Sequence, residues 1–307
     1  MRIAVPDLIS NSYFPAPAAV ELGFFKAEGL EMELDLVFPV DRAYEELRDG
    51  KLDFVAGSSH SALAAFPDWK GVKLLASLSQ GMYWFLVLRA DLGVKQGDIE
   101  AVKGLRIGAA PWVEMGLRRL LEEAGIQIEA DKVDITPVPG AIRPGVSFGV
   151  TAAEALGAGK IDGFWANGMG AEIAVRKGIG TMVLDVRRGD GPAPAFNYTQ
   201  PVLATTDALI AREPETAKAA IRAIIATQKA LRLDISHATT VGKALFPSEE
   251  ASMIADVVER DLEFYEPMIT GEFVAGMNKF AAELGLLSRP VAYEDVVAKQ
   301  FSDILTV

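Results

Sequence analysis

Two serines and a histidine follow the predicted buried strand 54–56, and their side chains are suited to binding an anion. Ser58 and Ser59 stand where the next helix, predicted from about residue 59 to 65, begins. Hydroxyl groups and unpaired backbone N–H groups at a helix start can hold a carboxylate, sulfonate or phosphate group. His60 can donate a further hydrogen bond to the same group. Helix capping by the serines, and a bond from His60 to its own helix, are the alternative interpretation.

Five amphipathic aromatic residues fall at predicted loop positions instead of inside strands or apolar helix stripes. They are Tyr13, Tyr83, Trp112, Trp165 and Tyr198. Aromatic walls with a few polar contacts are what a flat organic ligand requires. Structural packing is the alternative for any one of these rings, and we expect at least two of them to face a ligand.

Polar residues at other predicted strand ends and at the predicted return of the chain complete the candidate ligand-binding set. They are Asn11, Gln80, Asn167 and Asn197. Arg143 lies in an extended segment, residues 139–149, which could swing over a ligand and pair the guanidinium with an anionic group. A solvated loop arginine is the alternative for this residue.

The elements that must position these residues alternate between strand and helix. Short β-rich runs separated by helical patterns fill residues 3–88, and a second series of the same kind begins near residue 105. This rhythm predicts an α/β protein with two mixed sheets flanked by helices. Ligands of such sheets bind at the carboxyl ends of the strands, so the residues that follow each strand are the natural candidates.

The last third of the chain changes to a helical pattern. Pro214 marks one helix start, and further helices are predicted at residues 248–265, 271–286 and 293–304. If residues 200–206 return the chain to the first sheet, the second lobe is an insertion. We therefore predict a discontinuous first lobe, residues 1–89 with 199–307, and an inserted second lobe, residues 90–198. The two crossovers between them would form a hinge.

Composition excludes several classes of function. Among 307 residues the net charge is −12 and no cluster of basic residues occurs, which argues against a nucleic-acid partner. The apolar runs are far shorter than the roughly 20 residues of a membrane helix, so no direct membrane insertion is expected. The opening residues lack a signal-like apolar segment, and we expect a periplasmic location if an export signal has been removed and a cytoplasmic one otherwise. No cysteine is present, which removes thiolate chemistry.

Landmarks along most of the chain resemble those of type II periplasmic solute-binding proteins, the superfamily that serves alkanesulfonate, taurine, nitrate and thiamine-pyrimidine uptake. The landmarks are, in chain order, AAVELGFFKAEGLEMEL, DRAYEELRDGKLDFVAG, VKGLRIGAAPWVEMGLRRLLEEAGI, AAEALGAGKIDGFWAN and EPETAKAAIRAIIATQKAL. The resemblance implies a two-lobed fold that holds a small anionic or aromatic solute in the cleft between the lobes. It also implies delivery of that solute to the membrane permease of an ABC transporter. The sequence contains no HExxH motif, P-loop or glycine-rich dinucleotide turn, and its two histidines are far apart, so we expect no cofactor and no metal.

Two features qualify what the resemblance implies. Residues 109–112, AAPW, replace the Ser/Thr/Gly-rich turn of sulfonate and nitrate binders, which favours a larger and partly aromatic ligand. Some relatives on this fold are cytosolic enzymes, namely a pyrimidine-precursor synthase, a dehydratase and an aromatic-acid decarboxylase class. The cysteine-rich iron motif of the synthase is absent here. In this alternative His60 and Glu114 are the acid and base candidates.

Overall fold

The chain folds into two compact units, each with its own sheet. The structure is a computed structural model that describes residues 1–143 and 145–305. The first unit comprises Met1–Gln80 and the chain from Asn197 onward, and the second comprises Gly81–Phe196. Each unit contains one five-stranded sheet flanked by helices, so the predicted α/β class with two mixed sheets is confirmed.

The first sheet has one antiparallel strand among parallel ones. Its strands are β1 (Arg2–Val5), β2 (Glu33–Leu36), β3 (Phe54–Ser58), β4 (Val72–Ser77) and β10 (Pro201–Thr206). Their order across the sheet is β2-β1-β3-β10-β4, and β10 runs antiparallel to both of its neighbours.

The second sheet repeats this arrangement. Its strands are β5 (Phe85–Arg89), β6 (Arg106–Ala109), β7 (Asp134–Thr136), β8 (Gly163–Ala166) and β9 (Gly180–Asp185). Their order is β7-β6-β8-β5-β9, with β5 antiparallel to β8 and β9.

The antiparallel strand in each sheet is the first strand after the chain passes from the other unit: β5 in the second unit, and β10 where the chain returns to the first. Pro201, at the start of β10, pairs with Ser58 at the end of β3. Phe85, at the start of β5, pairs with the last residues of both β8 and β9. The residues just before β10 and β5 therefore lie at the carboxyl ends of the neighbouring strands, where ligands of α/β sheets bind.

Helices cover both sheets. In the first unit they are α1 (Pro15–Glu21), α2 (Phe24–Ala27), α3 (Val40–Arg48), α7 (Asp207–Arg212), α8 (Pro214–Leu233), α9 (Ser236–Leu245), α10 (Ser248–Asp261), α11 (Gly271–Glu283), α12 (Tyr293–Val296) and α13 (Ser302–Leu305). In the second unit they are α4 (Glu114–Glu123), α5 (Phe148–Gly157) and α6 (Gly168–Arg176).

The sequence encodes these helices through apolar spacing and capping. In α3 the residues Val40, Ala43, Tyr44 and Leu47 are all buried, and their spacing places them on one face. Pro214 occupies the first turn of α8, where its missing N–H costs no hydrogen bond. The long helix α8 packs on α1, α2 and β4, so part of the helical tail covers the first sheet.

The structure differs from the sequence-based expectation at four places. The sequence pattern of residues 17–25 predicts one helix, but Gly23, which adopts a positive φ of 77°, separates α1 from α2. Residues His60–Ala64 form a 3-10 helix instead of an α-helix. The predicted helix at 293–304 is two short helices, α12 and α13, separated by a 3-10 turn. Strand β5 belongs to the second sheet, whereas the sequence-based boundary placed residues 81–89 in the first lobe.

An ion pair links the starts of two neighbouring strands of the second sheet, because Arg106 begins β6 and Asp162 precedes β8. The Asp162 carboxylate accepts bonds from Arg106 Nε at 2.8 Å and Nη2 at 3.0 Å. The hydrogen bonds from the Arg106 side chain lower the pKa of Asp162 below its ordinary value of 3.8. A carboxylate whose folded-state pKa is lowered stabilises the fold above its ordinary pKa, and this contribution disappears as the pH falls through the folded-state pKa.

We expect Asp162→Asn to lower the free energy of unfolding by about 1 kcal/mol at pH 7, because the charge-assisted bonds to Arg106 are lost. The difference between wild type and variant should shrink once the pH falls below 3.8, the ordinary pKa of the carboxyl group. Urea unfolding at pH 7 and at pH 3 measures this difference, with Asp98→Asn as an exposed control in the same unit. A difference that stays constant between the two pH values would contradict the assignment.

Candidate functional site

Hydroxyl side chains gather where the strands of the first sheet end. We call the following eight residues the hydroxyl edge; each is the last residue of β3 or β4, follows β1, β3 or β4, or precedes β10, and each is fully buried. They are Ser10, Ser12, Ser58, Ser59, Ser61, Ser77, Ser79 and Thr199. So many hydroxyl groups at the carboxyl ends of strands form a surface that can donate and accept hydrogen bonds in several directions.

Hydrogen bonds around Thr199 connect part of the hydroxyl edge. The Ser59 hydroxyl and His60 Nδ1 each lie 3.0 Å from Thr199 Oγ1. The Ser59 backbone N–H donates to the carbonyl oxygen of Gln200 at 3.0 Å. These bonds join the segment after β3 to the segment before β10, as the pairing of the two strands requires.

Other polar atoms at this edge have no partner among the described residues. These buried atoms are the hydroxyl oxygens of Ser10, Ser12, Ser77 and Ser79, together with Asn11 Oδ1, Gln200 Nε2 and Gln228 Oε1. A buried polar group without a partner costs roughly 1–3 kcal/mol. Their concentration at one sheet edge is therefore typical of a surface that is completed by a bound molecule.

Two predicted site residues of the first unit pack on the same ring. The Phe280 ring stacks on Tyr198 with centroids 4.6 Å apart, and it meets the His60 ring edge-on at 5.5 Å. Phe280 belongs to α11, near the end of the chain, and sequence reasoning missed it. Nothing in its local pattern distinguishes it from other buried residues of an amphipathic helix.

The segment that follows α10 holds the loops of the hydroxyl edge in place. The Asn11 side-chain amide donates to Asp261, and the Tyr265 hydroxyl donates to the Asn11 carbonyl oxygen. The Gln80 backbone N–H donates to the carbonyl oxygen of Phe264 at 2.7 Å, and the Gln80 side chain lies 3.3 Å from the carbonyl oxygen of Met268. The predicted ligand residues Asn11 and Gln80 are therefore anchored to the helical tail.

Two further predicted residues of the first unit lie in close contact with its core. Asn197 approaches helix α11 so closely that a Cβ atom on Gly276 would lie 2.5 Å from the Asn197 Cβ, so only glycine fits there. Tyr13 is 5% exposed, so its side chain is buried.

Helix capping by the serines, which was the alternative interpretation, is not found after β3. Neither Ser58 nor Ser59 caps a helix: the 3-10 helix His60–Ala64 has no side-chain cap. The Ser58 hydroxyl instead lies 2.6 Å from that of Ser61. The strand runs two residues further than predicted, so Ser58 pairs across the sheet and its neighbours turn tightly.

Aromatic rings and an arginine gather at the corresponding edge of the second sheet. The Tyr83 and Trp84 rings lie 4.7 Å apart, and Trp84 meets Trp165 edge-on at 6.2 Å. The Arg187 guanidinium lies 5.7 Å from the centre of the Tyr83 ring, within the range of a cation–π contact. Trp165 is inside β8 and fully buried, not in a loop as predicted. We call Tyr83, Trp84, Trp112 and Arg187 the aromatic edge.

Arg187 is the second functional candidate that sequence reasoning missed. It is 6% exposed and lies two residues after the end of β9, in the sequence DVRRGDG. An arginine two residues after a buried strand was the available signal, since arginine is almost never fully buried unless it is paired. The predicted Arg143 is instead exposed on its loop.

Trp112 has an unusual backbone conformation. It is half-buried after β6 and has a φ of +67°, a region that costs a side-chain-bearing residue roughly 1–2 kcal/mol. Strain of this kind is concentrated at ligand-binding and active sites. Glu114, the base candidate of the enzyme alternative, is the first residue of α4.

Asn167 has a structural role at the start of α6. Its side-chain oxygen accepts from the Gly170 N–H at 3.3 Å and caps the helix. A Cβ atom on Gly149 would lie 2.5 Å from the same oxygen, so α5 passes very close to this cap.

Two other features bear on function. Within residues 1–143 and 145–305, no group of three or more His, Asp or Glu side chains is placed to hold a metal ion. In the same ranges, no helix is both long enough and apolar enough to cross a bilayer.

The two sheets, their antiparallel entry strands and the polar residues at the strand ends together define the class of two-lobed solute-binding-protein folds. The chain belongs to the NMT1/THI5-like family, whose model matches residues 11–232. The resemblance noted in the sequence is thus confirmed. No curated protein matches the chain in sequence.

Solved structures with this fold include binding proteins and an enzyme. The alkanesulfonate-binding protein SsuA from Xanthomonas axonopodis pv. citri, bound to MOPS, is 15% identical with a TM-score of 0.69 over 96% of this chain and 97% of that chain. The periplasmic nitrate-binding protein NrtA from Synechocystis PCC 6803 is 14% identical with a TM-score of 0.71 over 100% and 89%. A mutant of the desulfurization enzyme DszB in complex with biphenyl-2-sulfinic acid is 16% identical with a TM-score of 0.67 over 99% and 98%. At these identities the likeness shows the fold.

Proposed function

We propose that the chain is a solute-binding protein that captures a small organic anion, with an aromatic part, for an ABC-type uptake permease. The observation that carries this proposal is the hydroxyl edge, where four fully buried serine hydroxyls have no partner in the described part of the chain. A bound molecule that supplies hydrogen-bonding groups would satisfy them and recover their desolvation cost.

The aromatic edge supports the nature of the ligand. Tyr83 and Trp84 offer ring faces, and Arg187 supplies a buried positive charge next to Tyr83. A guanidinium is suited to binding a carboxylate or sulfonate through paired hydrogen bonds. We propose that Arg187 provides the charge complementary to the anionic group, with Arg143 as a further candidate on its loop.

Transport is favoured over catalysis. A sulfonate-binding protein with this fold, from Methylobacillus flagellatus KT, is named as part of a putative sulfonate ABC transporter, and NrtA is named as periplasmic. We accordingly propose a permease partner and a periplasmic location. DszB, which is named a desulfurization enzyme, has the same fold. For this chain the acid–base alternative with His60 and Glu114 is not favoured, since the His60 ring is held by Thr199 and Phe280.

A ligand should raise the melting temperature of the protein, because binding to the folded form alone adds RT ln(1 + [L]/Kd), about 2.7 kcal/mol at a ligand concentration of 100 times Kd. Thermal unfolding against sulfonates, aromatic carboxylates and pyrimidines identifies the ligand class. The best ligand should also be recovered unchanged after prolonged incubation. Conversion of that ligand into a product would support the enzyme alternative.

Ser79→Ala separates ligand binding from folding. Because the Ser79 hydroxyl is buried without a partner, its removal should leave the melting temperature of the free protein unchanged or slightly raised. The same variant should reduce the ligand-induced rise. Ser252→Ala, on the exposed side of α10, is the matched control. A wild-type ligand response in Ser79→Ala would remove this residue from the site.

A further inference from the structure

We infer that Asp261 sets the ligand specificity of the hydroxyl edge by fixing the orientation of the Asn11 side chain, so that Asn11 accepts a hydrogen bond from an N–H or O–H group of the ligand. The inference rests on the proposed function, since it takes the hydroxyl edge as the ligand site. It adds a requirement on ligand chemistry and assigns a positioning role to a residue of the helical tail.

The contacts of Asp261 determine which atom of the Asn11 side-chain amide, Nδ2 or Oδ1, is available to a ligand. Asn11 and Asp261 are both fully buried, and Asn11 Nδ2 donates to Asp261 Oδ2. The other carboxylate oxygen, Oδ1, lies 3.4 Å from Arg260 Nε. Both oxygens of Asp261 therefore face a donor.

A carboxylate can only accept hydrogen bonds, and this fixes the side-chain amide. If the Asn11 amide were rotated by half a turn, its oxygen would face the Asp261 oxygen and both groups would lose a partner. The nitrogen must therefore face Asp261, and Oδ1 must point the other way. In that direction Asn11 Oδ1 is buried and has no partner among residues 1–143 and 145–305.

The backbone of this loop is also held by a hydrogen bond. The Tyr265 hydroxyl donates to the Asn11 carbonyl oxygen, which prevents the loop from turning the amide away. The flanking Ser10 and Ser12 hydroxyls can rotate and either donate or accept. Among the polar side-chain groups of this loop, Asn11 Oδ1 thus has a fixed hydrogen-bonding role: it accepts.

This arrangement selects amino- or hydroxy-substituted organic anions over matched anions without a donor. An anion that lacks an N–H or O–H group at this position leaves Asn11 Oδ1 buried and unpaired. Sites with such a fixed acceptor reject the unsubstituted analogue, because the cost of the unpaired group remains in the complex.

The test compares matched ligands on the wild type and Asp261→Asn. The pairs are taurine with ethanesulfonate and 4-aminobenzoate with benzoate, measured by titration calorimetry. In the variant, the asparagine at 261 can present its own nitrogen, so Asn11 can rotate and offer a donor instead. We expect the preference for the amino member of the pair that binds to fall by about tenfold, the effect of one hydrogen bond.

Two further variants separate positioning from general destabilisation. Glu259→Gln makes the same chemical change on the exposed side of α10 and should keep the wild-type preference. The double variant Asn11→Asp with Asp261→Asn exchanges the two groups and leaves an outward oxygen at position 11. It should restore the preference for the amino ligand.

A measurement on the ligand-free protein tests the inference independently of which ligand binds. In 15N-edited NMR spectra, the Asn11 side-chain amide protons should be slow to exchange in the wild type and should shift and exchange faster in Asp261→Asn. Unprotected Asn11 amide protons in the wild type, or equal affinity for both members of a pair that binds, would overturn the inference and leave the proposed function standing. Absence of binding to any sulfonate, carboxylate or pyrimidine would instead count against the proposed function.

Discussion

Trp112→Gly is expected to weaken ligand binding by about 30-fold or more and yet to give a more stable protein than Trp112→Ala. Both variants remove the indole ring, so both lose the contribution of a buried aromatic contact to binding, about 2 kcal/mol for a dominant residue. They differ in the backbone, because the φ of +67° is free of strain for glycine and costs alanine roughly 1 kcal/mol. Calorimetry gives the affinities and urea unfolding gives the stabilities.

Lys132 is a matched control for this experiment. It also lies in the second unit, is exposed, and has a φ of +55°. Lys132→Gly and Lys132→Ala should show the same stability difference as the Trp112 pair, with no change in ligand affinity. If both Trp112 variants bind the ligand as well as wild type, Trp112 lies outside the site and its strain has another origin.

The second large effect is expected on stability. Gly170→Ala should lower the free energy of unfolding by about 2–3 kcal/mol, because a Cβ atom at this position would lie 2.5 Å from the Gly149 carbonyl oxygen. The obstructing atoms are backbone, so they cannot move aside as a flexible side chain would. Helices α5 and α6 would have to separate, and Asn167, which caps α6 beside Gly149, would move with them.

Gly271→Ala is the control for the Gly170 prediction. Gly271 is the first residue of α11, and a Cβ atom added there would meet no neighbouring atom within 4 Å, so this position should tolerate alanine without loss. Equal unfolding midpoints for Gly170→Ala and wild type in urea would mean that the helices adapt, and the close contact would then not determine their spacing.

The alternation of strands and helices was readable from the sequence because each element leaves a local signature. The buried strand that ends at Ser58, the apolar face of α3 and the start of α8 at Pro214 are all set by residues within a few positions of one another. The same local pattern also identified the strand ends, and so the segment around Ser58 and His60. Fold class followed from these elements in order.

Local patterns do not say which distant element completes a site. Asn11 and Asp261 are 250 positions apart and meet only because the helical tail packs on the first sheet. The ring of Phe280, which contacts both His60 and Tyr198, comes from α11. Arg187, which contacts Tyr83, lies next to a loop rich in turn residues and has no local pattern that pairs it with that ring.

The sequence by itself determined the class of fold, the strand ends where a ligand can bind and the family resemblance, since apolar periodicity and turn residues act over short distances. Only the tertiary structure decided that β5 joins the second sheet, that Trp165 lies in the interior, and that Asp261 orients Asn11. These outcomes depend on which buried surfaces fit together, and such a fit is a property of the folded chain as a whole.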